Sequence, residues 1–273
     1  MQDLFQLDHS PKRIVCLTDE SVETLYLLGE ENRIVGISGF TRRPPQARKT
    51  KPIVSTFTQA SIDEIKDLQP DLVLGYSDVQ AQMAKDLILE GLSVWILNHR
   101  SVKGILSMIQ QLGQLLGKGD LSKVLVDGFL EEMAAINETA KNWNKRPRVY
   151  FEEWDDPLIC GIQWVSEIME IAGGTDVFAS LSRQPQSKNR TLHNPEIVLQ
   201  ESPDIILASW CGKKVKKENI LQRPAWRDIP ALQQDDIFEI PSSIILQPGP
   251  AALSEGLPMI HRLFQQWVDK QEG

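Results

Sequence analysis

The sequence predicts an α/β protein of two similar lobes, each with a parallel-type central sheet, joined by one long connector helix, with a ligand cleft between the lobes. Three observations carry this. The stretch IDEIKDLQPDLVLG (62–75) returns as PEIVLQESPDIILA (195–208). Both read as an apolar-periodic helix, a Pro-Asp pair and a run of branched aliphatics of the kind that forms a buried strand. Asp63 falls on Glu196, and Pro70 on Pro203. Each copy also follows a second matching pattern: RIVCLTDE (13–20) with ETLYLLGEENRIVG (23–36), and RVYFEEWD (148–155) with EIMEIAGGTDVF (167–178). Finally, the stretch from Ser101 to Asn144 is helical in pattern nearly throughout.

In the first lobe a strand at 13–18 leads to a helix over 20–28 and a second strand near 33–38, with Gly29 marking the turn. GFTRRPPQARKTKP (39–52) is too rich in proline and charge for regular structure and reads as a loop. Ser61 is placed to cap a helix at 62–68. A strand at 71–76, a helix over 79–90 and the strand SVWILN complete the lobe. From Ser101 to Asn144 the helical pattern breaks only around 117–120, and its second part is long enough to act as a rigid connector. The second lobe has strands near 148–153, 204–209 and 236–240 and a last amphipathic helix at 254–269. The expected divisions are an N-terminal α/β lobe over 1–100, a helical connector over 101–147 and a C-terminal α/β lobe over 148–273. Two copies are too few for a solenoid.

Composition narrows the functional classes. The chain has 273 residues, 41% hydrophobic and 24% charged, enough for two ordinary cores. Its 29 basic and 37 acidic side chains give a formal net charge of −8, which argues against a general nucleic-acid binder while leaving local basic runs free to bind an anion. No segment has the length and apolarity of a membrane span. MQDLFQLDHSPKR lacks the basic and apolar regions of a signal peptide, so with Met1 as the native start the expected location is the cytoplasm. For a processed form it is the periplasm or cell surface. Cys16, Cys160 and Cys211 are an odd number without metal-ligand spacing, which argues against a disulfide framework or a zinc site, and two of them lie in or beside strand-like runs as small buried hydrophobes.

Ligands of open parallel sheets bind beyond the carboxyl ends of the strands. Those ends carry Thr18, Asp19 and Glu20; Tyr76, Ser77 and Asp78; Glu152, Glu153, Trp154 and Asp155; and Ser209, Trp210, Cys211 and Gly212. Aromatic and polar groups after uniformly apolar strands describe a pocket with flat walls and a few oriented hydrogen-bonding groups. Phe57, Trp154, Trp164 and Trp210 are the wall candidates. Each indole has the alternative of an ordinary core position, most of all Trp164 beside its helix. The run EEWDD has the alternatives of a metal chelate and of solvated carboxylates. Lys213, Lys214, Lys216 and Lys217 read as a solvated face or as counter-charge for an anionic ligand. GxSxG, HExxH, CxxC and GxxxxGK[ST] are absent. A thiol nucleophile from Cys211, His193 and an acidic neighbour has no support beyond proximity in sequence.

The ordered set RIVCLTDESVETLYLLGEENRIVGIS, KPIVSTFTQASIDEIKDLQPDLVLGY, the long helix, RVYFEEWDDPLICGIQWVSEIMEIAGGTDVF and NPEIVLQESPDIILAS resembles the helical-backbone substrate-binding proteins of ABC importers, of the cobalamin, siderophore and heme type. It looks most like the cobalamin-binding members. The resemblance covers most of the chain. It implies a non-catalytic, periplasmic-binding-protein-like binder of a corrinoid or related metal chelate or tetrapyrrole, with no intrinsic cofactor, serving vitamin or metal-chelate uptake. It also implies that Asp63 and Glu196 are the carboxylates that dock on an ABC permease, and that Phe57 lies against the ligand. Asp19, Tyr76, Glu153, Trp154, Asp155, Trp164, Trp210, Cys211 and Gln247 complete the ligand-binding set, Gln247 from the loop SSIILQPGP. The expected protein is a monomer, not inserted in a membrane. The rivals are a cytoplasmic enzyme or cofactor-handling protein that reuses the scaffold, and a protein-interaction module without a ligand.

Overall fold

The computed structural model describes residues 10–56 and 59–272, which form two compact units. One holds the chain through His99 together with Lys103–Asp127; the other holds Arg100–Val102 and the chain from Gly128 onward.

The first unit contains β1 (Ile14–Cys16), α1 (Asp19–Leu27), β2 (Ile34–Ser38), α2 (Ala47–Thr50), β3 (Ile53–Ser55), α3 (Ile62–Asp67), β4 (Leu72–Tyr76), α4 (Ala81–Leu89) and β5 (Val94–Leu97). The strands pair in parallel in the order β3-β2-β1-β4-β5. The chain runs outward from β1 through β3, then restarts on the other side of β1 with β4. The β1/β4 junction is therefore the point where strand order reverses, and crevices form at the carboxyl ends of such junctions. All three residues of β1 are fully buried, as a central strand covered on both faces requires.

Two long helices follow. In α5 (Val102–Leu115), Ile105, Met108, Ile109 and Leu112 are buried at helical spacing. Gly117 then ends the helix with a positive φ of 72°, and α6 (Gly119–Lys141) begins two residues on. The boundary between the units falls inside α6, after Asp127.

In the second unit β6 (Arg148–Asp155), β7 (Leu158–Cys160), β8 (Thr175–Asp176), β9 (Ile205–Ala208) and β10 (Ile237–Glu239) form the sheet, whose path is β10-β9-β6-β7 with β8 beside the start of β6. Its helices are α7 (Gln163–Ile171), α8 (Ala179–Ser182), α9 (Glu196–Glu201), α10 (Lys217–Leu221), α11 (Pro230–Gln233), α12 (Ser242–Ile245) and α13 (Leu257–Glu272). All pairings are parallel except β6 with β7, a hairpin closed by the two residues Asp156 and Pro157. Only strands reversing direction can be joined by so short a turn.

The repeated sequence has a repeated structural cause. In the first unit the Asp71 carboxylate accepts from the Lys12 and Arg13 backbone N–H groups at 2.6 and 3.0 Å, and the Arg13 guanidinium donates to the Leu68 carbonyl at the end of α3 at 2.6 Å. In the second, Asp204 accepts from the Arg148 N–H at 2.8 Å and the Arg148 guanidinium donates to the Glu201 carbonyl at the end of α9 at 2.8 Å. Each aspartate ties the helix-strand unit to the strand beside it. Each arginine satisfies a carbonyl that the helix leaves open. Even the left-handed residue before the proline recurs, Gln69 at φ 47° and Ser202 at φ 48°.

Candidate functional site

At the carboxyl ends of β1 and β4 the first unit gathers buried polar groups: Thr18, Asp19, Glu20, Ser21, Ser77 and Gln80. The Gln80 side chain bridges the strands, accepting from the Tyr76 N–H at 2.9 Å and donating to the Leu17 carbonyl at 3.3 Å. A Cβ on Gly75 would lie 2.7 Å from that amide oxygen, so glycine permits the bridge. Asp19 and Tyr76, expected to face a ligand, are turned inward. The Asp19 carboxylate accepts from the backbone N–H groups of Arg42 (2.9 Å) and Arg43 (3.1 Å), and the Tyr76 hydroxyl donates to the His99 carbonyl at 2.7 Å. Burial raises Asp19 to about 6 and Glu20 to about 7. Phe57 lies outside the described residues.

The carboxyl end of β6 in the second unit carries the acidic run, and each of three carboxylates has its own cation. Glu152, fully buried, takes a bidentate contact from Arg223 and a third hydrogen bond from the Trp210 indole N–H at 3.1 Å. Glu153 is held bidentately by the buried Arg190, one contact being 3.0 Å. Asp155 pairs with Lys213 at 2.5 Å. Among the described residues no group of three or more His, Cys, Asp and Glu is arranged to hold a metal ion. The sequence reading missed Arg190 and Arg223 because both lie in irregular polar segments. The signal was the Glu-Glu pair at the end of an apolar strand, since buried carboxylates demand cations.

The four aromatic candidates separate. Trp154 is half-buried, its N–H donating to the Asp156 carbonyl at 2.8 Å and the Lys213 ammonium standing 4.1 Å from its ring centroid. Trp210, expected as an exposed wall, is instead 1% exposed and part of the core formed with Tyr150, Trp226 and Ile206. The reason is Glu152: a buried carboxylate needs donors, and the Trp210 indole supplies one from inside the core. Trp164 is likewise buried, donating to the Ile245 carbonyl at 2.8 Å, and so holds the end of α12 from which half-buried Gln247 follows. Lys213, Lys214 and Lys216 are all exposed, and Lys213 is paired with Asp155.

Beside the hairpin is a cavity of about 510 Å³ lined in part by Asp155, Asp156, Pro157, His193, Glu196 and Arg223, all of the second unit. The exposed Glu196 begins α9 there, and the exposed Asp63 occupies the first turn of α3 in the other unit. Cys211 is exposed, but desolvation and Glu153 raise its thiol above the ordinary value, opposite to what a thiolate nucleophile needs. Cys16 and Cys160 are buried, each thiol pushed up to about 12 by burial. Among the described residues no helix is long and apolar enough to cross a membrane.

Two α/β sheets, each with polar groups gathered at its strand ends, place the chain in the two-unit α/β class. The chain belongs to the Periplasmic binding protein family, whose model matches residues 14–244. Among similar proteins are the Cobalamin-binding protein of Halobacterium salinarum, 24% identical over 89% of this chain and 67% of its own length, and the Vitamin B12-binding protein of Vibrio campbellii, 25% identical over 89% and 86%. Solved structures of the same fold include the periplasmic heme-binding protein of Roseiflexus sp. RS-1 in its apo form, with a TM-score of 0.79 at 22% identity, covering 94% of this chain and 99% of that one. The periplasmic vitamin B12-binding protein of Vibrio cholerae gives a TM-score of 0.75 at 20% identity, over 95% and 98%.

Proposed function

We propose that this protein binds a corrinoid or a related tetrapyrrole or metal chelate without transforming it, as the substrate-binding component of an ABC-type importer. The observation that carries the reading is the alignment of about nine-tenths of the chain with proteins named for binding cobalamin or vitamin B12. The chemistry of the strand ends agrees with it. A half-buried indole at the end of β6, rigidly held by its own hydrogen bond, offers a flat apolar surface at low ordering cost. Burial of some 300 Å² of ligand on such walls contributes about 7 kcal/mol before ordering costs.

The exposed carboxylates Asp63 and Glu196 stand at equivalent helix starts in the two units and are the groups offered to arginines of a permease. The periplasmic proteins among its structural neighbours support a periplasmic or cell-surface setting rather than the cytoplasm. Titration of the purified chain with cyanocobalamin and with hemin, followed by visible absorption and tryptophan fluorescence, tests the reading. Saturable binding of either with unchanged ligand mass supports it. Turnover of the ligand, or no binding of either, contradicts it.

A further inference from the structure

From residue 32 to residue 62 the chain carries six basic side chains, Arg33, Arg42, Arg43, Arg48, Lys49 and Lys51, and no acidic one, within a protein of net charge −8. Five of the six lie in the connection from β2 to β3. That connection is anchored at the carboxyl ends of the first sheet by contacts that leave cationic groups over. Asp19, at the end of β1, accepts the backbone N–H groups of Arg42 and Arg43, and Arg48 donates to the Gly39 carbonyl just past β2 at 2.8 Å. Two carboxylates thus engage the basic connection. Asp19 is occupied by backbone amides, and Glu23 accepts from the Arg43 guanidinium at 3.0 Å. The exposed side chains of Arg42 and Lys49 make no hydrogen bond or ion pair among the described residues. The carboxylates Glu152, Glu153 and Asp155 of the second unit, by contrast, are each already neutralised.

We infer that Arg42, which shares the β2–β3 connection with Arg48 and Lys49, makes this protein selective for a carboxylate-bearing metal chelate over a neutral one. A guanidinium held by its backbone at a strand end presents a planar fork that matches a carboxylate, and charge-assisted bonds of this kind are the strong ones. The inference rests on the tetrapyrrole or metal-chelate reading and adds the ligand's charge to it.

Paired probes separate the two claims. The full chain is titrated with hemin and its dimethyl ester, and with cyanocobalamin and a monocarboxylic acid made from it by hydrolysing one peripheral amide. In whichever pair binds, the carboxylate member is expected to bind about tenfold more tightly, a gap that narrows with added salt. Arg42→Gln closes most of that gap and leaves the neutral member's affinity unchanged, Arg42→Lys restores part of it, and Lys141→Gln, the same change of net charge placed on α6, leaves it intact. Equal affinities within a pair overturn the inference while leaving the binding function standing. So does an Arg42→Gln variant that weakens both members alike. Failure of all four probes to bind overturns the inference together with the reading beneath it.

Discussion

Trp154 and Trp210 stand at neighbouring strand ends, yet one is half-buried and the other is core. Trp210→Ala is therefore expected to destabilise the fold by about 3–5 kcal/mol, through the cavity and through Glu152 losing a donor. Trp154→Ala is expected to cost less than about 1 kcal/mol of stability while weakening ligand binding by about 1–3 kcal/mol. Chemical denaturation beside calorimetric titration checks both, and equal losses of stability would place Trp154 in the core as well. Asp19 and Glu20 carry a pH dependence whose sign is fixed by burial. Their folded values, about 6 and about 7, lie above the ordinary carboxylate range. The folded chain thus keeps protons that the unfolded chain releases, and stability rises as the pH falls from about 7 towards 4. Melting temperatures of wild type and Glu20→Gln across that window test this, with a shallower slope expected for the variant. The residue types of this neighbourhood are plain in the sequence. Their direction is not, because whether a group at a strand end faces in or out depends on partners such as Gln80, Arg190 and Arg223 from elsewhere in the chain.

The longer helices and strands follow closely from periodicity, whereas the one-turn helix α2 lies inside the 39–52 segment that reads as a loop, too short to show a period. Ser61 does cap α3, its hydroxyl accepting from the Glu64 N–H, and the break near 117 is where α5 gives way to α6. Three short strands escaped notice. β3 and β7 have three residues each and β8 two, too few for alternation to register, and β3 lies between a proline-rich loop and the residues around Phe57. The duplicated aspartate bracket gives an element-scale expectation: Asp71→Ala and Asp204→Ala should each cost about 0.5–1.5 kcal/mol, the net worth of the backbone hydrogen bonds each carboxylate accepts at a water-exposed edge. A loss at only one of the two positions would break the equivalence of the units. Gly173 is a second such point. At φ 105° a Cβ there would lie 2.3 Å from the Trp143 ring and 2.7 Å from the Ala140 Cβ. Gly173→Ala is expected to disrupt the seat of the end of α6 and lower stability by about 2–4 kcal/mol in denaturant melts.

At the scale of the molecule, the internal repeat made two α/β units legible, and family membership follows from a match to residues 14–244. The exact partition was less legible. α6 has one apolar-periodic pattern from end to end, and only tertiary packing assigns its residues through Asp127 to one unit and those from Gly128 to the other. Both units carry their polar groups where parallel sheets receive ligands, and the proposal to be tested is that the ligand is a tetrapyrrole or metal chelate, bound without being transformed. The most direct measurement is the visible absorption and mass spectrum of whatever accompanies the protein when it is purified from its own host, repeated after incubation with cyanocobalamin and hemin. The expected result is a coloured complex in which the chain holds an intact metal-bearing macrocycle. A colourless protein that also takes up neither probe would contradict it.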